Sequence, residues 1–162
     1  MKTIPFAVLS SFVLAALVPA ARAGDHIYGP YPANYVQECG DCHLPYPPQL
    51  LGSEGWKQMI GRLDRHFGTD ASLEAKARDE IAAFLFRQAS GRDKHRPVGA
   101  EARITTTAWF RHEHGNLPVK SSPGRPAAAR CETCHQGAAK GRFAEGEIKL
   151  PAGYRHREGD RS

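Results

Sequence analysis

At 162 residues with a formal charge of +5, the chain has room for one domain or two small lobes. Its basic residues are scattered among acids, with no basic stripe, which argues against a nucleic-acid partner. Sixteen glycines and twelve prolines imply much irregular chain, and a loop-rich fold of this size is marginal unless something large and apolar fills its middle.

The chain opens with Lys2, an apolar run from Ile4 to Val18 and the small-residue site Ala21-Arg22-Ala23. That is the form of an export signal over residues 1–23, cleaved before Gly24. The apolar run, interrupted by Pro5, Ser10 and Ser11, is short of the ~20 residues a membrane span needs, so no stable span is expected after cleavage. Loss of Lys2 and Arg22 takes the charge from +5 to +3.

Residues 25 to 38, rich in Tyr, Pro and Gly, read as extended or turned, and lead into Cys39-Gly40-Asp41-Cys42-His43 and a proline loop, Pro45-Tyr46-Pro47-Pro48. Trp56, Met59, Ile60, Leu63 and Phe67 then fall on one helical face that Gly68 closes. A second helix is predicted from a cap at Asp70 or Ser72, through Leu73, Ala77, Ile81, Phe84 and Leu85, to Gly91. Residues 92–102 read as a polar linker and Ile104–Thr107 as extended, with Thr107 capping a short helix over Ala108–His114 that Gly115 ends. A Pro/Ser/Gly-rich connection over 116–126 precedes Ala127–Arg130 and a second motif, Cys131-Glu132-Thr133-Cys134-His135. The tail is polar except for Ile148-Lys149-Leu150.

All four cysteines lie in two C-x-x-C pairs, each followed at once by histidine, and C-x-x-C-H is the attachment pattern of c-type haem. Cysteines one helical turn apart present both thiols to the haem vinyl groups, and the adjacent histidine reaches the iron. Cys39, Cys42, Cys131 and Cys134 are therefore the candidate thioether residues, with His43 and His135 as proximal iron ligands. A zinc site competes poorly, because 88 residues separate Cys42 from Cys131. Two local disulfides are a second alternative, and a thioredoxin-type motif lacks its βαβ setting. The chain is thus predicted to be mostly α and loop-rich, with two small haem-binding lobes over 24–92 and 93–162.

The group opposite each proximal histidine decides whether the iron only exchanges electrons or also binds small molecules. Met59 is the one methionine beyond the signal, and it sits between Trp56 and Leu63, where core packing is its ordinary role. Six further histidines remain: His26, His66, His95, His112, His114 and His156. His66 extends the apolar stripe of the first helix, and a histidine on a buried face needs a partner for its ring nitrogens. His112 and His114 follow Trp109 and Phe110 by one turn and spacing alone does not separate them. His95 and His156 lie in charged runs and read as solvated, and His26 stands near the mature N-terminus.

Taken together, Glu38-Cys39-Gly40-Asp41-Cys42-His43-Leu44-Pro45-Tyr46-Pro47-Pro48, Trp56, His66-Phe67-Gly68, Ile104-Thr105, Trp109-Phe110, Glu113-His114, Gly141-x-Phe143 and Ile148-x-Leu150-Pro151 resemble the small bacterial dihaem cytochrome c family (DHC type). The resemblance spans roughly residues 33 to 151. It implies a periplasmic electron carrier, not an enzyme, whose two covalent haem c groups are low-spin and bis-histidine. It also implies His66 and His114 as distal ligands, with His112 as runner-up. The partners it implies are a membrane b-type cytochrome or quinol-linked donor and a soluble high-spin, oxygen-binding c-type cytochrome as acceptor, with the carrier itself monomeric. Chain proximity pairs His66 with the Cys39/Cys42 haem and His114 with the Cys131/Cys134 haem, a crossed arrangement being the alternative. The competing functions are an electron-transfer subunit of a larger oxidoreductase and a small dihaem enzyme with one open iron.

Overall fold

The computed structural model describes residues 26–115, 117–118, 120 and 127–154. The expected signal over 1–23, His156 and most of the 116–126 connection lie outside them. Four α-helices and short 3-10 turns make up the described chain, and no strand occurs among the described residues. The mostly α, loop-rich expectation holds. No helix among the described residues is long and apolar enough to cross a membrane.

The first helix, α1 (Ala33–Gly40), was not expected. The Tyr/Pro/Gly run ends at Pro32, whose fixed φ of −57° suits the residue before a helix, and Ala33 then starts the turn. This helix buries Tyr35 and delivers Cys39 to the first motif. Its successor α2 (Ser53–Ile60) is shorter than the Trp56–Phe67 stripe predicts. Gly61 ends it by donating its amide to Lys57 O (2.9 Å), and a 3-10 turn over Leu63–Arg65 carries the chain on to His66. The longest helix, α3 (Ala75–Gln88), starts later than expected, because Asp70 accepts the Ser72 amide in a local turn and does not cap it.

The main core gathers Tyr35, Leu51, Trp56, Ile81, Leu85 and Ala102, where α2 packs on α3. Trp56 donates its indole N–H to Pro48 O (2.7 Å), so the proline loop is part of this core. Ile104–Thr106 forms a 3-10 turn where extended chain was expected. The Thr106 and Thr107 hydroxyls donate back to Arg103 O and Ile104 O, and such bonds compete with extended structure. The last helix, α4 (Ala108–His114), matches expectation: Thr107 accepts the Phe110 amide (3.1 Å), and Gly115 closes the helix at φ 61°.

The N-terminal strap meets the far end of the chain. Tyr28 N donates to Gly141 O (2.8 Å) and Phe143 N to His26 O (2.9 Å). Gly141 is left-handed (φ 70°) and a Cβ there would strike the Gly29 backbone, so only glycine allows this approach.

Candidate haem sites

The first C-x-x-C-H stretch leaves the end of α1, with Cys39 partly buried and Cys42 exposed. His43 Nδ1 donates to Leu44 O (2.8 Å), which fixes the tautomer and leaves the lone pair on Nε2. The imidazole also stacks on Tyr46, ring centres 4.9 Å apart at 26°.

His66 faces it across 6.0 Å between ring centres, the planes 27° apart. A tight turn presents His66: Thr69 N donates to His66 O (3.0 Å), with Phe67 at φ 51° and Gly68 at φ 95°. A left-handed phenylalanine is a strained conformation. Its ring lies between His66 (4.7 Å) and the Arg103 guanidinium, which stacks 3.8 Å from it.

The second C-x-x-C-H is a helical turn in itself, since Cys134 N and His135 N both donate to Cys131 O (3.2 and 2.8 Å). His135 and His114 also stand 6.0 Å apart, at a steeper 67°. His114 donates Nδ1 to Phe110 O (3.2 Å) and stacks on the Phe110 ring at 4.4 Å, while His112 on the same helix is exposed. Beside α4 a cavity of about 210 Å³ opens, walled by Phe110, Leu117, Ala128 and Ala129 and flanked by Arg103 and Arg111.

Two imidazoles on opposite sides of one metal, each nitrogen about 2.0 Å from it, have ring centres roughly 6 Å apart. Both histidine pairs meet that spacing. Burial, then the nearby His43 and Arg103, lowers the proton affinity of His66, and burial lowers that of His135. Both shifts favour the neutral form that metal ligation requires. Nδ1 of each is buried with no hydrogen-bond partner on the chain, as is Nε2 of His95. Burial pushes the Cys39 thiol up to about 11 and Cys131 up to about 12, and raises Cys134. Such thiols resist the thiolate form that zinc demands. No group of three or more His, Cys, Asp or Glu that could hold a metal occurs among the described residues.

The sequence profile of dihaem cytochrome c matches residues 35–143. The chain belongs to the dihaem cytochrome c family. A diheme cytochrome type c from Shewanella baltica OS155 is 32% identical, with 74% of this chain and 93% of that one covered and a TM-score of 0.61. A diheme cytochrome c from Rhodobacter sphaeroides is 31% identical over 68% of this chain and 94% of that one, TM-score 0.55. A second structure of that organism's DHC gives 29%, 70%, 98% and 0.58. No curated protein is matched. This dihaem cytochrome is accordingly an electron-transfer protein with two covalently bound haem c groups.

Two placements, His95 and Tyr46, differ from the sequence reading or lay beyond it, while Met59 keeps the core-packing role expected of it. His95, expected in solvent, is buried (8% exposed), with Nδ1 2.6 Å from Ser90 Oγ and its ring edge-on to Trp109 at 5.2 Å. Its charged neighbours Arg92 and Lys94 point to solvent in the sequence, and nothing in the local pattern shows that the imidazole turns inward. Met59 packs partly buried against the core and lines a small cleft with His66. Tyr46 was read only as part of a proline loop, yet its ring covers His43.

Proposed function

We propose that this cytochrome is an exported, periplasmic electron carrier whose two haems are bis-histidine and low-spin. Cys39 and Cys42 would hold the first haem, between His43 and His66. Cys131 and Cys134 would hold the second, between His135 and His114. The observation that carries the reading is the matching 6.0 Å separation of both histidine pairs, each made of one motif histidine and one distant in sequence.

Bound haem supplies a one-electron iron couple. The chain's part would be to ligate each iron with two imidazoles, His43 with His66 and His135 with His114, which would leave no position for a substrate. Phe67 and Arg103 back His66, Phe110 backs His114, and Leu44 O and Phe110 O fix the tautomers of His43 and His114. Histidine in place of methionine keeps both potentials below those of His/Met cytochromes. The family resemblance supplies the partners: a membrane b-type or quinol-linked donor, and a soluble high-spin c-type cytochrome as acceptor.

The test is a redox titration of the purified protein followed by electron paramagnetic resonance, with carbon monoxide added to the reduced form. Two low-spin signals and no spectral response to carbon monoxide are expected. A high-spin signal, or rapid carbon monoxide uptake at either haem, would overturn the saturated reading and favour an enzyme.

A further inference from the structure

Tyr46 touches both haem-attachment segments. Its ring lies nearly parallel to His43, and its hydroxyl donates to Ala129 O (2.7 Å), 83 residues away and two before Cys131. The residue is held from behind as well. Buried Pro45 and Pro47 flank it, and Tyr35, only 2% exposed, donates its hydroxyl to Tyr46 O (2.6 Å). The side chain from the first motif thus reaches the chain just before the second.

We propose that Tyr46 is a positioning residue shared by the two sites: its ring sets the plane of His43, and its hydroxyl ties down the chain that leads into Cys131. The ring's role rests on His43 and His66 being axial ligands, as proposed above; the hydroxyl tie does not. The chemical consequence is an inequivalence of the two irons. The first pair of imidazoles lies at 27° and the second at 67°. Near-parallel axial planes split the iron d orbitals and give a rhombic low-spin ferric signal, whereas crossed planes collapse that splitting and give a single large g value. The stack on Tyr46 is what keeps His43 near-parallel to His66.

Two variants of the full, haem-loaded protein separate the roles. Y46F removes the hydroxyl and keeps the ring, and should leave the rhombic signal unchanged. Amide hydrogen exchange over 127–134 should rise about fivefold, the worth of one hydrogen bond. Y46L removes both, and should in addition shift or broaden the rhombic signal while leaving the large-g signal in place. An unmoved rhombic signal in Y46L would overturn the ring's role, and unchanged exchange in Y46F would overturn the tie. A wild-type spectrum without a rhombic signal would overturn the ligand assignment and the ring's role together, while exchange over 127–134 still decides the tie.

Discussion

Replacing Thr107 by valine should lower the melting temperature of the haem-loaded protein by roughly 5 to 10 °C. Thr107 is fully buried, and its hydroxyl makes two bonds: it accepts the Phe110 amide (3.1 Å) and donates to Ile104 O (2.8 Å). An N-cap of this kind is worth about 1 kcal/mol, rising toward 2 where water cannot replace it. Phe110 is 5% exposed, so the upper end applies. Ile104 O keeps the Thr107 amide (3.1 Å), so loss of the second bond adds only about 0.5–1 kcal/mol. The sum is about 2–3 kcal/mol, and a chain of this length loses roughly 3 °C per kcal/mol. T107S, which keeps both bonds and loses one buried methyl, should cost only about 1 kcal/mol. Circular dichroism melts of the three proteins make the comparison, with the Soret band followed in parallel. Because α4 carries His114, T107V should also show a high-spin fraction at one haem before the main transition. A T107V melt within 1 °C of T107S would refute the claim that the hydroxyl bonds hold α4.

H114A should convert one haem to high spin and take up one carbon monoxide per molecule after reduction, whereas H112A, at an exposed position, should leave both spectra unchanged. Stability should depend on pH through His95, whose proton affinity is lowered by burial and then by Lys94 and Arg92. The unfolded chain binds this proton near pH 6.5 and the folded chain resists it, so stability is full above about 6.5 and falls below it. The slope is at most about 1.4 kcal/mol per pH unit; urea melts between pH 5 and 7.5 should flatten in H95Q. G68A should cost about 1 kcal/mol from its backbone alone, since φ is 95° and nothing stands within 4 Å of the added Cβ. Its effect should be seen in the spectrum of one haem and not the other.

Much of the cofactor chemistry was legible because attachment is written in contiguous residues. Two C-x-x-C-H motifs declare themselves, and α4 carries its own boundaries in Thr107 and Gly115. The two histidines proposed for the far side were narrower inferences. His66 could be picked from the apolar stripe, although α2 stops at Gly61 and a left-handed turn delivers the imidazole. The choice of His114 over His112 came from family resemblance, and the structure places its ring 6.0 Å from His135 with His112 in solvent. What stayed hidden depends on contacts far apart in sequence. His95 turns inward against Ser90 and Trp109, and Tyr46 reaches Ala129. Neither has a local signature, because polar neighbours in one case and prolines in the other dominate the pattern.

The two sites rest on unequal supports. Around the first motif stands a conventional core of Tyr35, Leu51, Trp56, Ile81 and Leu85, fully assembled from side chains. Past α4 the buried apolar residues are only Ala127 and Ala138 among those described, two methyl groups' worth of core for the whole second motif. Such a segment cannot offset its own ordering entropy by side-chain burial. Its anchors among the described residues are instead backbone bonds and side chains from elsewhere, among them Lys149 N to Cys134 O (2.9 Å), the Tyr46 hydroxyl on Ala129 O (2.7 Å), the strap at Gly141, and Phe143 against His135 (5.1 Å). The apolar face of a covalently held haem would add a large surface to that core. The second haem is therefore expected to serve the fold as well as electron transfer, whereas the first motif adjoins a fold that already has a centre.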